Sequence, residues 1–150
     1  MNPSRFLRAF ATSFILIVLL DGFWHDGLMA DFYMQRLAMI NPSLMGQPIT
    51  FTPFIIFIAA INAVTMSYLI LTQVDSKKPL RDAAWIGMLL GFTVSGTLNF
   101  LNHTLIVRWD IVLALVDTAW GTVTGLITAL AIASVCSKRR NKGLLGMMRR

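Results

Sequence analysis

Charge is what this chain has least of. Only 13% of its 150 residues are charged and 56% are apolar, whereas a soluble domain averages about 25% charged; an ordinary water-surrounded globule is excluded. Cysteine occurs once, as Cys136, so no intrachain disulfide forms and no cysteine-based metal site can be built. Histidine occurs twice, as His25 and His103, fewer than the closely spaced clusters of a membrane metalloenzyme. The apolar run Ala9 to Leu20 follows Arg5 and Arg8 in the layout of a secretory signal, but no small-x-small cleavage site follows it, so it reads as a retained first helix.

What the chain has is long apolar stretches and a mean hydropathy of +0.68. In lipid, backbone amides must pair within their own segment, so such stretches cross as helices. Four are expected: Arg8 to about Leu28, Thr52 to about Val74, Asp82 to about Val107, and Asp110 to about Val135. Between the first two, Leu28, Met29, Phe32, Tyr33, Leu37 and Ile40 recur at helical spacing opposite Asp31, Gln35 and Arg36. That pattern predicts a short amphipathic helix on the membrane surface, ended by Asn41-Pro42. The expected fold is therefore all-α: a four-helix transmembrane bundle with an interfacial helix between its first two spans. Residues 1–136 form the membrane domain and 137–150 a basic cytoplasmic tail.

Basic residues set the orientation, because the cytoplasmic side retains them. Arg5, Arg8, Lys77, Lys78, Arg81 and six in the tail fall on one side, against Arg36 and Arg108 on the other. Both termini are expected in the cytoplasm, and the turn at Arg108-Trp109 faces outward. Trp85 and Trp109 suit the two aromatic belts. The net charge of +6 lies largely in the tail, which reads as a partner for anionic lipid headgroups and not for nucleic acid. The segment Gly143 to Met148 within it would dip into the interface.

Placed by depth at about 1.5 Å per residue, the polar residues gather in the outer half of the bundle. Asp21 falls about 4 to 5 Å outward of the midplane, Asn99 about 7 Å and Asp117 about 7 to 8 Å, with His25, Asn102 and His103 about 10 to 13 Å out. Asn62, near the midplane, would floor the same site. Asp21 and His25 share a helix face, as do Asn99, Asn102 and His103, while Asp117 leads a face with Trp120. An ionisable group at this depth costs at least about 2.5 to 3.5 kcal/mol if it faces lipid, so these turn inward and pair. Two carboxylates in low dielectric need a proton, a histidine, a metal or an amine beside them.

Several motifs have competing readings. Leu20-Asp21-Gly22-Phe23-Trp24 and Val116-Asp117-Thr118-Ala119-Trp120 both read apolar-Asp-x-x-Trp on antiparallel spans, either an inverted pseudo-repeat of the kind transporters use or two independent recruitments. Gly87-x-x-x-Gly91 and Gly121-x-x-x-Gly125 predict close packing of the third and fourth spans; no lysine or strand supports a phosphate loop. His25, His103, Asp21 and Asp117 are ligand types suited to zinc or iron, but two histidines are thin support and no metal is expected. Cys136 lies at the opposite membrane face from both histidines and makes no nucleophile.

The chain resembles a family of small predicted bacterial inner-membrane proteins of unknown function. The resemblance rests on Leu20-Asp21 through Trp24, Asp31-Phe32-Tyr33, the glycine-rich third helix with Gly91, Gly96, Asn99 and Asn102, and Val116 through Gly121. It implies the same four-helix layout over roughly residues 10 to 135, and Asp21, Trp24, Asn99, Asp117 and Trp120 as a functional set. It implies no activity, substrate or cofactor. His103 departs from the family's aromatic pattern.

The expected function is therefore broad: binding of a small molecule, ion or proton at an outward-facing polar site made by Asp21, Trp24, His25, Asn62, Asn99, Asn102, His103, Asp117 and Trp120. One rival is an accessory subunit or assembly factor of a larger membrane complex, in which the same residues serve interhelical hydrogen bonding or docking. The other is a small membrane enzyme acting on a lipid or isoprenoid, with Asp21 and Asp117 working with His25 or His103 in acid-base roles.

Overall fold

The computed structural model describes residues 2–44, 53–74 and 77–147, with side chains described only as far as Cys136 in the last helix. Among these residues five α-helices follow one another, and four helical segments are long and apolar enough to cross a membrane.

Helix α1, Pro3–Gly22, starts where its sequence permits. Pro3 needs no backbone partner at the first turn, and the Asn2 side chain accepts the Ser4 amide at 3.0 Å. It runs without a break into a wider π-helical turn, Phe23–Leu28, closed by the Met29 amide donating to the Trp24 carbonyl at 2.8 Å. Such insertions cluster at functional sites. Here the span Pro3–Leu28 changes helical phase between Asp21 and Trp24.

Helix α2, Ala30–Ile40, occupies the amphipathic segment. It lies across the end of the bundle, held by the ion pair of Arg36 with Asp110, with the Arg36 guanidinium also 4.7 Å from the Phe32 ring centroid. Arg108 Nη1 donates to the Met39 carbonyl at 3.4 Å. Tyr33, expected on a membrane-facing stripe, is instead turned into the protein and is 3% exposed.

Helices α3 (Pro53–Gln73), α4 (Pro79–Leu105) and α5 (Ile111–Met147) complete the bundle. The α4–α5 turn is tight enough to place Arg108 at φ 70°, a left-handed conformation uncommon outside glycine. Asp110 then caps α5, its carboxylate accepting the Val112 amide at 2.9 Å.

Lipid chains are as apolar as leucine, so small residues and close approach hold the helices together. Gly87 and Gly91 of α4 lie directly on Gly125 and Gly121 of α5, where an added Cβ at Gly91 would overlap the Gly121 carbonyl. Ala9, Ala83 and Ala129 are fully buried with Ile132 in one core cluster, and Ile17, Ala59 and Ala63 join α1 to α3 in another. Large side chains such as Leu89 and Leu105 face outward, the inverse of a soluble bundle. Trp85 is exposed near one end of α4, and Trp109 lies in the turn at the other. The basic side chains of the tail, Lys138 to Arg150, and the segment Gly143 to Met148 lie outside the described side chains.

Candidate functional site

Two carboxylates organise the upper part of the bundle, near the α4–α5 turn. Asp21 of α1 accepts a hydrogen bond from Trp120 Nε1 of α5 at 3.0 Å. Asp117 of α5 accepts one from the Tyr33 hydroxyl of α2, and that hydroxyl in turn accepts from Trp24 Nε1 at 2.9 Å. The two Asp-x-x-Trp segments are thus cross-connected: the tryptophan of the second binds the aspartate of the first directly, and the tryptophan of the first reaches the aspartate of the second through Tyr33. Their indoles stack at 4.2 Å between centroids and 4° between planes.

His25 fills the gap between the carboxylates. Its Nδ1 is 2.9 Å from the Asp21 backbone carbonyl, which only accepts, so Nδ1 carries hydrogen. Its Nε2 is 3.6 Å from Asp117 Oδ1. Nε2 thus faces the Asp117 carboxylate across a gap slightly longer than a hydrogen bond. The Tyr33 ring closes over His25 at 4.5 Å between centroids. Burial first, and then the Asp117 carboxylate, push the Tyr33 phenol well above its ordinary range, which keeps it a hydrogen-bond donor.

Beneath this network lies a cavity of about 240 Å³ lined by Asp21, His25, Asn62, Asn99, Asp117 and Trp120, with Ile17, Ile58, Leu90 and Val94 among its apolar walls. It continues down α5 past Gly121 to Thr124 and Thr128. Asn99 Nδ2 donates to the Ser95 carbonyl at 3.0 Å, but Asn99 Oδ1 and the hydroxyls of Thr124 and Thr128 are buried with no hydrogen-bond partner. Buried polar atoms without partners are uncommon and costly; Ser13 Oγ, Ser67 Oγ and Trp109 Nε1 are in the same state elsewhere, and the three on cavity-lining residues give the cavity unmet hydrogen-bonding capacity.

The nine expected site residues separate into three groups. Asp21, His25, Asn62, Asn99, Asp117 and Trp120 line the cavity, and Trp24 joins them through its stack and Tyr33. Asn102 and His103 do not line it. They sit nearly a turn beyond Asn99, where α4 is already ending, and His103 Nδ1 instead donates to the Trp109 carbonyl at 2.7 Å across the α4–α5 turn. They share a helix face with Asn99, but Asn99 is buried and His103 is exposed, so burial along that face ends before His103 is reached. Tyr33 is absent from the expected site: its spacing marked it as part of an apolar stripe, and the signals that could have found it were its hydroxyl and its place in the Asp31-Phe32-Tyr33 stretch of the family resemblance.

Among the described residues, no group of three or more His, Cys, Asp and Glu side chains is arranged to hold a metal ion. Cys136 packs against the Ala129, Ile132 and Ala133 cluster, near the other end of the bundle.

The family model described as "Predicted membrane protein (DUF2177)" matches residues 6–134, most of the chain and every helix that contributes to the cavity. The chain belongs to this family. No curated protein and no solved structure matches the chain. Membership agrees with four candidate spans in an all-helical bundle, and the family description carries no activity with it.

Proposed function

We propose that this membrane protein binds a small molecule, ion or proton in the intramembrane cavity, and that the cavity opens toward the outer face of a bacterial inner membrane. The excess of basic residues at the termini and in the α3–α4 connection supports the orientation, with both termini cytoplasmic. The tail 137–150 then meets anionic headgroups on the cytoplasmic side.

One observation carries the reading. The cavity joins two carboxylates and an imidazole to buried polar atoms, Asn99 Oδ1 and the Thr124 and Thr128 hydroxyls, that have no partner among the described residues. A bundle needing polar residues only for helix packing would pair these across helices. The Asp21, Trp120, Tyr33 and Trp24 bonds are of that kind; Asn99 Oδ1 and the two threonine hydroxyls are not.

Native mass spectrometry of the protein purified in mild detergent tests this. A small-molecule or ion adduct in the wild type, lost or weakened in Asn99→Leu, supports the reading. Lipid adducts alone, unchanged by the substitution, argue against it. Stoichiometric co-purification of another protein would favour the accessory-subunit reading.

A further inference from the structure

Charge and shape together narrow what the cavity accepts. Asp21 and Asp117 both line it and His25 is the one ionisable base beside them, while none of its described lining residues is lysine or arginine. With both carboxylates ionised, even a charged His25 leaves one negative charge in a low-dielectric region, and an anion would add to it. The open hydrogen-bonding atom at the same end is an acceptor: Asn99 turns its amide nitrogen to the Ser95 carbonyl and leaves Oδ1 unpaired. Trp120, already stacked on Trp24, supplies an aromatic wall, a surface that favours cations.

The rest of the cavity is unlike an inorganic ion site. Besides the polar Asn62, Ser95, Thr124 and Thr128, its walls include Ile17, Ile58, Leu90 and Val94, which offer no ligand to a bare ion. From Asp117 to Thr128 along α5 is about 16 Å at 1.5 Å per residue. A volume of about 240 Å³ whose lining reaches that far is narrow for its length, with room for roughly eight water-sized groups in all.

We infer that the cavity takes a slender organic monoammonium ion, its charged head between Asp21, Asp117 and Asn99 and its apolar body extending along α5 toward Thr124. This rests on the binding reading above and names the ligand class for it. The head supplies the positive charge that the carboxylates lack and the donor that Asn99 Oδ1 lacks. The chain covers the apolar walls.

The test is a fluorescence titration, using the cavity tryptophan Trp120, of the full-length protein in detergent with hexylamine, 1-hexanol, hexanoate and sodium chloride. Replacing a charge-assisted hydrogen bond by a neutral one weakens binding by roughly tenfold or more. Hexylammonium is therefore expected to bind saturably and at least about tenfold more tightly than 1-hexanol, with hexanoate weakest. The isosteric variants Asp21→Asn and Asp117→Asn each reduce that preference, bringing hexylammonium closer to 1-hexanol. Equal binding of hexylammonium and hexanol to the wild type overturns the ammonium assignment but leaves a binding cavity. Saturable sodium binding that hexylammonium does not displace overturns it in favour of an inorganic ion. If none of the probes binds, the ammonium assignment falls, and the adduct spectrum of the wild type decides separately whether the cavity binds anything. The wild-type ranking alone decides the assignment if a variant fails to fold.

Discussion

Trp24 and Trp120 lie face to face, 4.2 Å apart and 4° from parallel, although they belong to the first and last spans and are each three residues beyond an aspartate. Each indole N–H is directed to the opposite side of the pair: Trp120 to Asp21, and Trp24 to Tyr33 and so to Asp117. The stack fixes α1 against α5 at the height of both carboxylates. Whether the two Asp-x-x-Trp segments descend from one repeat or were recruited separately, they work as one unit.

The stack itself has a spectroscopic consequence. Two parallel indoles at this separation couple their transitions, so the wild type should show an exciton couplet in circular dichroism. Trp24→Phe and Trp120→Phe should each abolish it, whereas Trp85→Phe, at an exposed position away from the pair, should leave it intact. A couplet that survives Trp24→Phe contradicts the stacked geometry.

Tyr33 is the hinge of the network because its hydroxyl both donates and accepts. Tyr33→Phe keeps the ring over His25 and removes only that hydroxyl, leaving Trp24 Nε1 and Asp117 each short of one partner. A loss of about 1 to 3 kcal/mol in stability is expected, read as a lower melting temperature in detergent. An unchanged melt would mean that water replaces the hydroxyl at no cost.

The same phenol sets an alkaline limit. Its pKa is raised in the fold, by burial first and by Asp117 second, so the folded state holds the proton more tightly than the unfolded chain. The stabilisation is whole below the ordinary tyrosine value of about 10 and is lost as pH rises beyond it. The wild type should therefore lose stability above about pH 10 more steeply than Tyr33→Phe. Phenolate absorbance from Tyr33, taken as wild type minus variant, should appear only with unfolding.

Close helix approach makes a sharp contrast among glycines. Gly91→Ala places a methyl group on the Gly121 carbonyl, and Gly125→Ala places one on the Gly87 carbonyl. Overpacking of this kind costs about 1 to 3 kcal/mol. At Gly27, in the π-helical turn, an added Cβ meets only Phe23 Cδ2 at 3.9 Å, an ordinary contact, so Gly27→Ala should shift stability by less than about 0.5 kcal/mol. Thermal melts of the three variants check the order.

The sequence was informative where lipid leaves little choice. Apolar runs long enough to cross the bilayer mark α1, α3, α4 and α5, Pro3 and Pro79 sit in the first turns of α1 and α4, and the paired Gly-x-x-x-Gly segments mark the α4–α5 contact. That Asp21, Asn99 and Asp117 fall at a common level was likewise readable, because rise per residue is fixed, and all three line one cavity. Side-chain direction was less so. Asn102 and His103 share a face with Asn99, but spacing does not say how far along a face burial extends: Asn99 is buried, whereas His103 is exposed and bonded to the Trp109 carbonyl.

Four spanning helices and a concentration of ionisable groups at one level follow from sequence alone, since hydrocarbon thickness and the cost of an exposed charge act on every such chain in the same way. Tertiary structure decided which groups meet. The π-helical turn after Gly22 changes the phase of Trp24 and His25, and the folding of α2 back over the bundle brings Tyr33 to Asp117 across 84 positions of sequence. No helical periodicity contains that contact, because it depends on how separate helices are stacked and not on the spacing within any one of them.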